Sequence, residues 1–275
     1  MNNDRVSIHV CTKDRHSEVA CLLVSLRNQT YQNWDLVLVD ESQTPLDTHT
    51  PSMFLLNRLR QENHKVVYCR NTISRGVCHA RNLCIENDIF DNEYTLRVDD
   101  DVVLDVDYIE KLLDVIKAGY DIASGVTPLM NSPELVRDAT RLNGTVNKIV
   151  WDEKGNIIHY ADDCGRSYYT PATEILPTDH FRSCALYKSE LHQHFKYETN
   201  LSPVGFREES FFSLRARWLG YKIAVDLTAK AWHFVTPSGG CRYSNYAELV
   251  RQDDETFKKW AQKMFIKNGG APNEN

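Results

Sequence analysis

Apolar runs of strand length alternate with runs of helical spacing along the first half of this 275-residue chain, and that alternation leaves few folds open. Residues 6–10 (Val-Ser-Ile-His-Val) alternate apolar with polar and close on Cys-Thr-Lys-Asp-Arg, the pattern of a strand ending in a polar loop. Val19, Leu22, Leu23 and Leu26 then fall on one helical face, and residues 36–39 (Leu-Val-Leu-Val) form a continuous apolar strand closing at Asp40. Strand, helix and strand in that order make a β-α-β unit, which implies parallel neighbours and a right-handed crossover. The pattern continues with a strand at 65–69, a polar loop holding Asn71, Arg75 and Gly76, and a helix predicted over 77–90. Residues 94–98 (Tyr-Thr-Leu-Arg-Val) form a strand that runs straight into Asp99, Asp100 and Asp101. Ligands of open α/β sheets sit beyond the carboxyl ends of parallel strands, which is where Thr12, Asp40 and the three aspartates fall.

Further along, Ile109, Leu112, Leu113 and Ile116 mark another helix, and residues 120–126 a strand. Regularity fades from 131 to 178, where irregular or antiparallel structure covering the site is expected. Residues 208–219 read as a helix, 222–225 as a strand, and Phe257, Trp260, Ala261 and Met264 as one face of a closing helix. Lys and Arg number 32 against 38 Asp and Glu, and the net charge of -6 argues against the broad basic stripe that duplex DNA needs. Eight scattered cysteines without a C-x-x-C pair read as reduced structural thiols. The opening residues are polar and no run is long enough to span a bilayer, so a cytoplasmic location without an integral membrane segment is expected.

Three consecutive aspartates repel one another unless a positive group is bound. Mg²⁺ or Mn²⁺ suits such a place, because both prefer oxygen ligands and bridge carboxylates to substrate phosphates. Alternate side chains of an extended segment share a side, so Asp99 and Asp101 can face one ligand. The same residues also fit an acidic surface turn.

Residues 98–110 (Val-Asp-Asp-Asp-Val-Val-Leu-Asp-Val-Asp-Tyr-Ile-Glu) resemble the Asp-x-Asp segment of family 2 glycosyltransferases, with Asp105 and Val106 where prolines are common. Four more segments follow that family's order. The strand and helix of 6–26 with Asn-Gln-Thr-Tyr-Gln-Asn-Trp at 28–34 are similar to its opening unit. Leu-Val-Leu-Val-Asp-Glu-Ser at 36–42 resembles its second strand and acidic turn, Glu41 and Gln43 replacing commoner residues. Arg-Gly-Val-Cys-His-Ala-Arg-Asn at 75–82 is similar to its Gly-x-x-x-Ala-Arg-Asn loop. Residues 205–221 resemble its Glu-Asp helix, with Glu209 where aspartate is usual.

The resemblance implies a GT-A fold: α/β, with a mostly parallel, Rossmann-like central sheet flanked by helices and a smaller irregular or antiparallel acceptor-side region. Residues 1–125 would form the nucleotide-sugar-binding half and 126–267 the acceptor-side half with the base and the closing helix, while 268–275 would be a disordered tail. Thr12, Asp14, Asp40, Arg75 and Arg81 would meet the donor nucleotide, Asp99 or Asp100 its ribose. Asp101, with Asp99 and His233, would hold Mn²⁺ or Mg²⁺. Glu209 would be the catalytic base and Glu208 its runner-up. The loop with Gly239 and Gly240 would close over the donor. The donor is a nucleotide-diphospho-sugar, expected to be of the UDP class by family frequency. The acceptor stays open among saccharide, lipid-linked sugar, protein side chain and modified base. Two other readings compete: a nucleotidyltransferase, which would show a Gly-rich phosphate loop in place of Cys-Thr-Lys-Asp-Arg, and a noncatalytic sugar-nucleotide or carbohydrate-binding module, hinted at only by glutamate at 209.

Overall fold

Five strands among the described residues are at least five residues long and mostly buried, and they dictate the architecture. The computed structural model describes residues 4–132, 134–136, 146–165, 167–169 and 175–273, and only the backbone of 134–136, 165 and 167–169. The first part runs β1 (Val6–Thr12), α1 (His16–Arg27), β2 (Trp34–Asp40), α2 (Thr50–Gln61), β3 (Val66–Arg70), α3 (Val77–Asn87), β4 (Tyr94–Val98), β5 (Val102–Leu104), α4 (Tyr108–Lys117) and β6 (Ile122–Val126). The short strands β7 (Glu134–Val136), β8 (Ile149–Trp151), β9 (Ile157–Tyr160), β10 (Ser167–Tyr169) and β11 (Ile175–Pro177) come next. The chain then forms β12 (Ala185–Lys188), α5 (Leu191–His194), α6 (Glu208–Trp218), β13 (Ile223–His233) and α7 (Tyr246–Asn268).

The main sheet has the order β11-β13-β6-β12-β4-β1-β2-β3, with β5 also paired to β13. β3, β2, β1 and β4 are mutually parallel, as are β6 and β13. β12 runs antiparallel to both β4 and β6 and is inserted between them. The registers Thr12↔Asp40 and Val10↔Val98 bring the carboxyl ends of β1, β2 and β4 level, so the three aspartates emerge beside Thr12. Val6, Ile8 and Val10 pack with Leu22, Leu23 and Leu26 of α1 and Leu112 of α4 in the principal core. Each such side chain contributes about 1.5–3 kcal/mol by leaving water.

β8 and β9 pair antiparallel, β7 and β10 parallel. Residues 133, 137–145, 166 and 170–174 of the expected irregular stretch lie outside the described residues. The parts on either side of residue 125 share the main sheet, because β12 and β13 both pair with β6. α7 lays Phe257 and Trp260 against Phe211 of α6, with ring centroids 5.3 and 4.5 Å apart. The helix runs through Asn268, and beyond it the Gly270 and Asn273 carbonyls accept hydrogen bonds from Trp218 and Arg217, so residues 269–273 are docked on α6 where a disordered tail was expected. Among the described residues no helix is long and apolar enough to cross a membrane.

Candidate active site

One cleft of about 250 Å³ opens over the carboxyl ends of β1 and β4. Its floor is the aspartate triplet. Its walls come from α3, the N-terminus of α6, the 180–183 segment before β12 and the 239–246 loop before α7.

The triplet forms the turn from β4 to β5, and its three side chains divide by the partners they meet. Asp100 is buried, accepting from Thr12 Oγ1 and Arg15 Nη1, each at 2.8 Å. Burial pushes its carboxyl up to about 6, against the pull of Arg15 and with the help of the Asp101 charge. Asp99 faces the cleft, 21% exposed, with Arg81 Nη2 2.6 Å from Oδ1 and Ser183 Oγ donating to Oδ2. Burial works against its ionisation, yet Arg81 and Arg97 hold it well below the usual carboxylate range. Asp101 Oδ1 lies 3.1 Å from His233 Nε2 at the end of β13. Burial opposes the Asp101 charge too, but His233 and Arg15 keep the carboxyl low; burial likewise opposes the His233 charge, yet the hydrogen bond to Asp101 raises the imidazole.

Asp101 Oδ2 is buried, 3.0 Å from Arg15 Nη1 but without hydrogen-bond geometry. One carboxylate and one imidazole suit a divalent cation of the Mn²⁺ or Mg²⁺ type. Among the described residues no three His, Cys, Asp or Glu side chains converge on one point. The residues therefore fit an ion whose remaining positions go to phosphate and water, not a closed protein cage.

The opposite wall depends on two glycines. Gly76 caps α3 with φ +104°, and a Cβ there would lie 2.5 Å from Pro203 Cα. Gly205, with φ +64°, packs against Val77 in return. Only residues without side chains allow this contact, and Val77 N donates to Pro203 O across it. Asp253 of α7 fixes the same turn by accepting from the Ser202 and Phe206 backbone amides. The junction sets the α6 N-terminus against α3, so Arg81 reaches Glu208.

Glu208 is buried between two guanidinium groups, 2.8 Å from Arg81 Nε and 2.9 Å from Arg97 Nη2. Burial pushes its carboxyl up, against both arginines. Glu209, one residue on, is 23% exposed, lines the cleft and lies 3.4 Å from Arg97 Nη2. The 239–246 loop is docked rather than open: Gly240 N donates to Lys13 O at 2.7 Å and Arg15 Nε to Ser238 O at 3.3 Å. Cys241, Arg242, Tyr243 and Tyr246 close that side of the cleft.

Of the residues singled out from sequence, Thr12, Arg81, Asp99, Asp100, Asp101, Glu208, Glu209 and His233 all line this cleft. Asp40, Asp14 and Arg75 do not. The Asp40 carboxylate is turned into the loop after β2, accepting from the Ser42 and Leu46 amides and from Tyr68. Glu41 takes its place at the cleft, held by Asn71 and Ser74. Asp14, at φ 55°, is exposed and accepts from the Gln43 amide. Arg75 is exposed, while its neighbours Ser74 and Gly76 line the wall. Sequence reading passed over Arg15, Arg97 and Ser183. For Arg97 a signal existed, since Thr95, Arg97 and Asp99 share one face of an otherwise apolar strand.

The sequence model of glycosyl transferase family 2 matches residues 7–195, more than half of the chain. The chain belongs to that family. It is 29% identical over 100 residues to the Escherichia coli (strain K12) protein named putative colanic acid biosynthesis glycosyl transferase WcaA. The match spans 36% of this chain and a third (33%) of WcaA. Among solved structures it is similar to GalNAc-T7 with UDP, GalNAc and Mn²⁺, at TM-score 0.64 and 14% identity, covering 91% of this chain and about half (48%) of that one. It is also similar to the mannosyltransferase PcManGT of Pyrobaculum calidifontis with GDP-Man and Mn²⁺ (TM-score 0.62, 16% identity, 98% of this chain and 66% of that one). A third likeness is to S. aureus TarS residues 1–349 with UDP-GlcNAc (TM-score 0.58, 15% identity, 96% and 72%). These likenesses show the fold to be GT-A, and the expectation of an α/β sheet of that kind is borne out. The family match ends before α6, so the glutamate wall is read from this chain's own geometry.

Proposed function

We propose that the chain transfers a sugar from a nucleotide-diphosphate donor to an acceptor hydroxyl, with inversion and with Glu209 as base. The carrying observation is the arrangement of the carboxylates. Asp99, Asp101 and Glu209 all line the cleft, Asp99 and Glu209 each 3.4 Å from Arg97 Nη2, while Glu208 is held between Arg81 and Arg97. The UDP, UDP-GlcNAc and GDP-Man bound to the structural neighbours, two of them with Mn²⁺, support a nucleotide-sugar donor and a divalent ion.

On this reading Asp99, anchored by Arg81 and Ser183, receives donor hydroxyls, and Thr12 and Arg15 keep Asp100 in place beneath it. Asp101 and His233 would hold Mn²⁺ or Mg²⁺, and such an ion, when bound, offsets charge that builds on the leaving diphosphate. The docked 239–246 loop excludes water from the donor side. Glu209 takes the proton of the acceptor hydroxyl as that oxygen attacks the anomeric carbon. Base assistance of this kind is worth roughly 10²–10⁴-fold in rate.

The test is a thermal-shift series with UDP, GDP and their sugar conjugates, with and without Mn²⁺, followed by release of nucleoside diphosphate from whichever donor binds. A shift that needs both metal and one nucleotide, with release lost in Glu209→Gln while the shift persists, is expected. No shift with any nucleotide, or full release by Glu209→Gln, would overturn the assignment.

A further inference from the structure

Arg97 is a cation in the middle of an apolar strand, only 1% exposed, and burying a guanidinium there is costly unless carboxylates receive it. Three do. Its Nη2 lies 2.9 Å from Glu208 Oε1 and 3.4 Å from both Asp99 Oδ1 and Glu209 Oε1. The Phe181 and Tyr197 rings lie beside it, with centroids 5.6 and 5.8 Å from Cζ. Rings at that distance fix the plane of a guanidinium and favour its charge. Nε and Nη1 carry no hydrogen bond, so every polar contact of the side chain passes through one nitrogen shared among three carboxylates.

The three carboxylates depend on that nitrogen unequally. Asp99 is also held by Arg81 and Ser183, and Glu208 also by Arg81. Among the described residues, Arg97 is the only side chain in ion-pair or hydrogen-bond reach of the Glu209 carboxylate. Glu209 is thus the most loosely held of the three and lies in open contact with the cleft.

We propose that Arg97 is a positioning residue that orients the Glu209 carboxylate from behind, while Arg81 holds Asp99 and Glu208. The idea rests on Glu209 being the base. It assigns this arginine to the acceptor half of the reaction even though it precedes the aspartate triplet by two residues. Lysine at 97 keeps the charge but concentrates it at one point, lacks the planar fork and makes a poorer contact with the Phe181 and Tyr197 rings. It can satisfy buried Glu208 but not Glu209 as well.

The test uses the full chain and release of nucleoside diphosphate from a UDP-sugar or GDP-mannose with Mn²⁺, water serving as acceptor. Arg97→Lys is expected to lower turnover about tenfold or more with the KM for donor and the nucleotide-dependent thermal shift unchanged within about twofold. Combined with Glu209→Gln, it should lower the rate no further than Glu209→Gln alone, because it acts through that carboxylate. Multiplicative losses in the double variant, or loss of the thermal shift in Arg97→Lys, would overturn the proposal and place Arg97 with the donor site or the core. If Arg97→Lys does not fold, Phe181→Leu, which removes one ring beside the guanidinium, must show the same fall in turnover, and an unchanged rate sinks the idea. A wild-type protein that releases no nucleotide, or a Glu209→Gln variant with full rate, would instead remove the base assignment on which the proposal stands.

Discussion

Adjacent glutamates at the start of one helix do opposite work in this cleft, and substitution separates them. Glu208 compensates two buried arginines. Removing one partner of a buried charge cluster costs about 3–5 kcal/mol. Glu208→Gln is therefore expected to lower the melting temperature by on the order of 10 °C, by differential scanning fluorimetry. Glu209→Gln, partly exposed and with one distant partner, should melt within about 2 °C of wild type. Equal losses would mean that the two carboxylates share the structural load. At Asp101, alanine removes one of the two side chains suited to an ion, so the Mn²⁺-dependent part of the nucleotide shift should vanish while any metal-independent part remains. An unchanged Mn²⁺ titration would move the ion elsewhere. Residue types at the ends of elements were readable from sequence: the triplet, the glutamate pair and His233 all reached the cleft. Asp40 did not, because a carboxylate at the last strand position can turn back to cap the following loop, and sequence alone does not say which way it turns.

Elements were legible where their periodicity was clean. The parallel strands β1, β2, β4 and β6 announce themselves as continuous or alternating apolar runs, and α1 and α4 as single apolar faces. α2 escaped notice because Met53, Phe54, Leu55 and Leu56 are consecutive and so favour no face, and Phe54 is left 70% exposed. Its start signal, Pro51 in the first turn, was present. β12 escaped because it is four residues long and reversed, and only its neighbours β4 and β6 define it. The junction of α3 with the turn before α6 is the element-scale device that assembles the site. Gly76→Ala must push a Cβ into Pro203 and hold φ at +104°. A cost of about 2–4 kcal/mol follows from overpacking and backbone strain together. Because the same contact sets Glu208 against Arg81, nucleotide release should fall along with the melting temperature. A destabilised variant with unchanged release per folded molecule would show that the junction serves the fold alone.

Across the whole molecule the sheet separates two kinds of buried ionisable group, those lining the cleft and those packed away from it, and pH tells them apart. Near α5, His192 stacks 6.1 Å from His9 and meets Tyr187 and Phe212 edge-on, with both ring nitrogens buried and without hydrogen bonds. Burial, helped by the His9 and Lys196 charges and opposed by Asp88, lowers its pKa to about 3. The folded state thus binds this proton less readily than the unfolded chain, in which histidine titrates near 6.5. Its contribution is complete above the unfolded value and is lost as pH falls from about 6.5 towards 3, at no more than about 1.4 kcal/mol per pH unit. Asp88, held below its ordinary range by His9 in spite of its burial, loses its share only at lower pH, below the unfolded carboxylate value. Between pH 6.5 and 4.5 the comparison of wild type with His192→Leu consequently isolates the imidazole. The two proteins should melt close together at pH 7.5, and the variant should gain on wild type steadily as the pH falls, reaching about 2 kcal/mol by pH 4.5 in denaturant titrations. Parallel stability curves across that range would show that His192 accepts its proton without leaving the core, and the buried stack on His9 would then have to accommodate a charge.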